Sequence, residues 1–282
     1  MCIKNNKLLK PTNDYVFKRI FGKKGNEDIT IGFLETITGI RYDKISLEDT
    51  PILERDLFES KMGVLDIKVI VNKIIDIDIE MQVVKNENEA ERILWYWAKM
   101  YSTSIKRGEG YENTNKVICI LIADFCLENL NSIPKYHTKW QIREEDFGNV
   151  ILTEKLEIHI IELTKLENIN ETDKKLAHWC KFIKTPEKVE DSIMNENDDI
   201  KKAKEELDKM SQDENERRLA EIRERAILFE NTLRNNGYNK GRKEGEKAKQ
   251  LEIAKNMLNE NFNIEQISKI TGLSVEEIQK LK

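Results

Sequence analysis

The segment Ile75-Asp-Ile-Asp-Ile-Glu-Met-Gln-Val83 sets Ile75, Ile77, Ile79, Met81 and Val83 on one side of an extended chain, and Asp76, Asp78, Glu80 and Gln82 on the other. Successive side chains of a β-strand point to opposite faces, so this period of two reads as a half-buried strand and not as a helix. Val64–Val71 alternates in the same way. Lys116–Ala123 and Leu156–Leu163 are apolar runs of strand length. Between and around them, apolar residues at helical spacing mark Thr12–Phe21, Glu27–Thr38, Glu87–Lys106 and Lys174–Lys184, with Gly22 and Gly39 as stops for the first two. Strands alternating with helices give an α/β expectation: a mixed central sheet flanked by helices.

A chain of 282 residues holds one full domain and an appendage. Pro186 is read as the end of the main domain, residues 1–185. The charged stretch 186–235 follows as a helical linker, and 236–282 as a helical tail. Residues 187–221 carry thirteen acids against seven bases, too little apolar surface for a core of their own. Residues 1–24 carry seven bases against Asp14 alone, so the net charge of −5 does not exclude a nucleic-acid partner.

The longest apolar run, Val117–Ala123, is far short of a membrane span, and the N-terminus lacks the apolar stretch of a secretory signal. No membrane and a cytoplasmic location are the expectations. Four scattered cysteines and three isolated histidines (His137, His159 and His178) spell neither a disulfide framework nor a zinc site.

The polar face of Ile75–Val83 carries the chemistry. A loop of Asn72, Lys73 and Ile74 sets Val71 against Ile75 and therefore Asp66 directly against Glu80; a two-residue loop would break this pairing. Two carboxylates side by side, with Gln82 two residues along, make a hard-oxygen site suited to Mg²⁺ or Mn²⁺. Such an ion acidifies water and stabilises charge on a phosphoryl oxygen, which suits phosphodiester hydrolysis. Asp76 and Asp78 are read as ordinary surface charges. Lys68, on the face of Asp66, and Lys99, on the following helix, are candidates for an added positive charge. Arg92 and Tyr96, one helical turn apart, are candidates to hold a phosphate or orient Glu80. Asp14 is a further candidate acid, although an acid in a first helical turn also complements the helix dipole. Lys18, Arg19, Lys23 and Lys24 are candidates for attracting DNA phosphates.

Val64-Leu-Asp66-Ile-Lys68, Ile77-Asp-Ile-Glu80-Met-Gln82, Glu91-Arg92-Ile-Leu-Trp-Tyr96-Trp-Ala-Lys99-Met-Tyr101 and the opening Asn13-Asp14-Tyr-Val-Phe17-Lys18-Arg-Ile-Phe21-Gly22 together resemble the recombination-promoting nuclease (Rpn)/transposase family of the PD-(D/E)XK superfamily. The resemblance spans about residues 8 to 185 and, more loosely, the tail. It implies a restriction-endonuclease-like core and a DNA endonuclease using a divalent metal, with Asp66 and Glu80 as its ligands, in a setting of DNA recombination or mobile DNA. Gln82 stands where the superfamily pattern usually has lysine; the family itself favours Glu-X-Gln. The rival expectation is a catalytically silent DNA-binding or assembly protein that keeps the fold.

In the tail, Gly237, Gly241 and Gly245 form a narrow strip on a helix, a face for self-association into a homo-oligomer. Asn263 with Gln266, and Ser274 with Glu277, are capping-box spacings around Gly272, a helix-turn-helix outline. Glu276 and Glu277 open its second helix, which favours a docking hairpin over a DNA-reading one.

Overall fold

The computed structural model describes residues 7–48, 52, 57, 66–85, 88–105, 107–168 and 174–281. Six strands form one mixed sheet: β1 (Ile45–Leu47), β2 (Ile67–Val71), β3 (Ile75–Gln82), β4 (Lys116–Ala123), β5 (His137–Trp140) and β6 (Leu156–Glu162), in the order β1-β2-β3-β4-β6-β5. β3, β4 and β6 run parallel at its centre, and the outer pairings are antiparallel.

Each face of the sheet has its own core. On one, Ile67, Val69, Ile77, Ile79, Met81, Ile118, Ile120, Ile122 and Ile161 meet helices α1 (Asp14–Phe21), α2 (Glu27–Thr38) and α4 (Lys174–Lys184). Phe17, Phe21, Phe33 and Trp179 stack there in tilted and edge-on pairs. On the other face, Val117, Cys119, Leu121, Ile158 and Ile160 meet Ile93, Trp97 and Met100 of helix α3 (Glu89–Thr103). Trp97 Nε1 donates to Val117 O at 3.2 Å and ties α3 to the sheet. With helices on both faces, β3 is buried on both faces from Ile77 to Met81, where the alternation predicts a strand with one wet face.

Local stops follow the expected chemistry. Asn13 caps α1 by accepting from Tyr15 N and Val16 N. Gly39 ends α2 in the left-handed region at φ 72°, which a residue with a Cβ rarely adopts.

The largest departure lies after Pro186. Helices α5 (Asp191–Glu196) and α6 (Asp198–Gln212) bury Ile193, Ile200, Ala203, Leu207 and Met210 in the first core. The charged stretch therefore serves as an amphipathic cover, whose polar face accounts for its composition. The chain divides into compact units at Met1–Ala226 and Ile227–Lys282, not at 185; helix α7 spans Glu214–Asn259. In the second unit, α8 (Ile264–Thr271) and α9 (Val275–Gln279) enclose a small core of Ala254, Ile267, Leu273 and Ile278. Both expected capping boxes form, and Gly272 turns between the helices at φ 74°. Among the described residues, no helix is long and apolar enough to cross a membrane.

Candidate active site

The β2–β3 hairpin turns through Asn72 and Lys73, both at positive φ, and Ile74 N bonds to Val71 O. Its register sets Val71 against Ile75, Lys68 against Asp78 and Ile67 against Ile79. Extended one residue beyond the paired strands, this register sets Asp66 opposite Glu80, as the three-residue loop requires. Asp66, Lys68, Asp76, Asp78, Glu80 and Gln82 thus share the face of the sheet toward α3.

Glu80 is held in place from two sides. Its Oε1 accepts from Arg92 Nη2 at 2.6 Å and from Gln82 Nε2 at 3.0 Å. Arg92 also reaches Glu89 at 3.2 Å and lies 5.9 Å from the centre of the Tyr96 ring, so Arg92 and Tyr96 both belong to this cleft. Burial raises the Asp66 carboxyl to about 6; Arg92, Lys18 and Lys68 oppose the rise. Burial and the neighbouring Asp66 raise Asp78 to about 7 and Glu80 to about 8. Three carboxyls held this far above their ordinary range on one sheet face, with few cations to offset them, make this cleft the candidate site.

Asp78 corrects the sequence reading. It is a buried side chain at 5% exposure and not a surface charge. Asp76, toward the strand's start, is half-buried and accepts from Asn115 Nδ2 at 2.9 Å. Lys68 is exposed, and its charge acts on both Asp66 and Asp78. Lys99 is exposed and lies over the Trp95 ring at 5.0 Å.

Asp14 is more than a first-turn acid. Arg223 grips it with two nitrogens, Nε at 2.8 Å from Oδ1 and Nη2 at 2.6 Å from Oδ2, while Arg223 Nη1 donates to Leu57 O. Asp14 still contributes to the raised value at Asp66. Within the basic N-terminal segment Lys18 is buried, Arg19 pairs with Glu216 at 2.7 Å, and Lys23 pairs with Glu206 at 2.7 Å. Of the four candidates for phosphate contact, Lys24 alone is exposed.

The opposite face of the sheet holds a cluster that the reading of isolated histidines missed. Glu157 on β6 is 1% exposed; Lys116 Nζ and His159 Nε2 lie 2.8 Å from it, and Lys139 Nζ 3.1 Å. A carboxylate only accepts, so His159 Nε2 carries a proton toward Glu157, and His159 Nδ1 shares a hydrogen bond with His137 Nε2 at 2.8 Å. The two imidazoles stack with centres 5.1 Å apart. Burial alone would raise Glu157, but the hydrogen bonds from His159, Lys116 and Lys139 outweigh it and hold the carboxyl at about 2. The signal available in the sequence was the pair Glu157 and His159, two polar residues on one side of an otherwise apolar strand.

Among the described residues, no three His, Cys, Asp or Glu side chains stand close enough together to hold an ion in the conformation seen. Arg92 and Gln82 draw Glu80 Oε1 to themselves. The donor set nevertheless fits a divalent cation: hard carboxylate oxygens from adjacent strands, one of them, Asp78 Oδ1, buried and without a hydrogen-bond partner among the described residues.

Residues 11–237 match the PD-(D/E)XK nuclease family transposase model. The chain belongs to that family. Residues 247–282 match the C-terminal HTH domain of the Rpn/YhgA-like nuclease family, in keeping with the helix-turn-helix outline of the tail. Its Glu277 is compensated by Lys247 and by the Ser274 cap. Comparisons with curated proteins and with solved structures gave no match. PD-(D/E)XK nucleases generally use divalent metals.

Proposed function

We propose that the protein is a divalent-metal-dependent DNA endonuclease that hydrolyses phosphodiester bonds in a setting of recombination or mobile DNA. The observation that carries this reading is the pairing of Asp66 with Glu80 across the hairpin, with Gln82 bonded to Glu80, in a chain of the nuclease family. Asp66 and Glu80 would hold Mg²⁺ or Mn²⁺; when bound, such an ion offsets their charge, acidifies water and stabilises negative charge on the phosphate. Gln82, neutral and able both to donate and accept, orients the attacking water. Glu80 keeps its Oε1 on Arg92 and Gln82, which leaves Oε2 to meet the cation. Arg92 balances the charge on Glu80, and its stacked neighbour Tyr96 fixes the direction from which it does so. Lys68 supplies positive charge that Gln82 lacks. The C-terminal HTH domain supplies a second contact to DNA.

A plasmid-nicking assay with Mg²⁺ and with Mn²⁺ tests this. Wild type should convert supercoiled plasmid, and Asp66→Ala and Glu80→Ala should not. Equal cutting by all three removes the assigned site. Binding without cutting by all three, wild type included, favours the silent DNA-binding alternative.

A further inference from the structure

Asp78 differs from the other acids on its strand in having nothing to hold it. Asp76 accepts from Asn115, and Glu80 from Arg92 and Gln82. Asp78 Oδ1 is buried with no hydrogen-bond partner among the described residues. Its cross-strand neighbours are Lys68 on β2 and Cys119 on β4. The Cys119 thiol is pushed well above its usual range by burial and stays neutral. On the diagonal lies Asp66, whose charge acts on Asp78. A buried carboxylate oxygen is costly to leave unmatched, and a divalent cation is the partner that offsets two carboxylates at once. Asp78 Oδ1 is therefore unengaged where Glu80 Oε1 is already taken by Arg92 and Gln82.

We propose that Asp78 is a third carboxylate ligand of the divalent-cation site, acting with Asp66 on the side away from Gln82. This rests on the reading of Asp66 and Glu80 as ligands.

Isothermal titration of Mn²⁺ into the full-length protein without DNA is the test, with Asp66→Asn, Asp78→Asn and Asp76→Asn compared with wild type. Asp78→Asn should weaken Mn²⁺ binding by about tenfold or more, and should shrink the rise in melting temperature that Mn²⁺ gives the wild type. Asp76→Asn should bind as wild type does. Asp78→Ser gives the same reading should the amide variant fail to fold. Binding by Asp78→Asn within about twofold of wild type, while Asp66→Asn has lost it, overturns the role of Asp78 and leaves the nuclease site standing. Unchanged binding by both variants overturns the nuclease site and this proposal with it.

Discussion

Two groups of buried carboxylates lie on opposite faces of one sheet and differ in how their charge is met. Glu157, on the face toward α1 and α2, is ringed by His159, Lys116 and Lys139 and sits at about 2. Asp66, Asp78 and Glu80, on the face toward α3, repel one another and are raised by burial to about 6, 7 and 8. Burial is common to both, so burial does not separate a structural acid from a functional one. The supply of partners does. A carboxylate whose every lone pair is answered by the protein has nothing left to offer a ligand, whereas one buried without answers carries a stored cost that a cation or substrate can relieve.

The sharpest way to break the comparison is to disable each side and measure cleavage. Glu80→Ala should lower plasmid nicking by on the order of 10³-fold with the fold intact by circular dichroism. Glu157→Gln should leave cleavage per folded molecule near that of wild type. Stability should answer in the opposite sense: Glu157→Ala strands His159 and Lys116 and should cost ~3–5 kcal/mol in urea unfolding. A Glu157→Ala protein as stable as wild type would remove the structural role.

The pH dependence distinguishes the faces by sign. A carboxyl raised in the folded state holds its proton more tightly there, so the contribution of Asp78 and Glu80 is full below their ordinary values of 3.8 and 4.5 and is lost as pH rises through about 7 and 8. Glu157, depressed from 4.5 to about 2, contributes fully above 4.5 and loses its contribution as pH falls toward 2. His137, kept neutral by burial and by the charges around it, is depressed from 6.5 to about 4 and likewise loses stability on the acid side. Metal-free Asp78→Asn should therefore melt higher than wild type at pH 8, with a smaller gain at pH 5. An equal gain at both would show that charge is not the cause. The smallest effect belongs to Lys139, whose side chain is 42% exposed: Lys139→Ala should cost ~0–1 kcal/mol.

Much of the site was legible in the sequence because strand pairing is arithmetic. The loop Asn72 to Ile74 determines that Asp66 meets Glu80, and the observed register agrees. Helix ends were legible for a like reason: Gly39, Asn263 and Ser274 act on their own neighbours. What escaped depends on partners far along the chain. Arg223 meets Asp14 across 209 positions, and His137 meets His159 across 22. The burial of Asp78 is set by packing that the alternation of its own strand does not show. In α6, Ile200, Ala203, Leu207 and Met210 recur at three- and four-residue steps, a helical stripe that the surrounding charges hid from a reading based on composition.

The grip of Arg223 on Asp14 has a bearing on how the protein is made. An early helix of the first unit gains its counter-ion from a residue translated some two hundred codons later, so a nascent chain paused at residue 185 exposes an unanswered acid beside Asp66 and lacks the cover of α6. Synthesis must run well into α7 before this pair can form. A side chain of α7 thereby completes the charge balance of α1 only late in the making of the first unit.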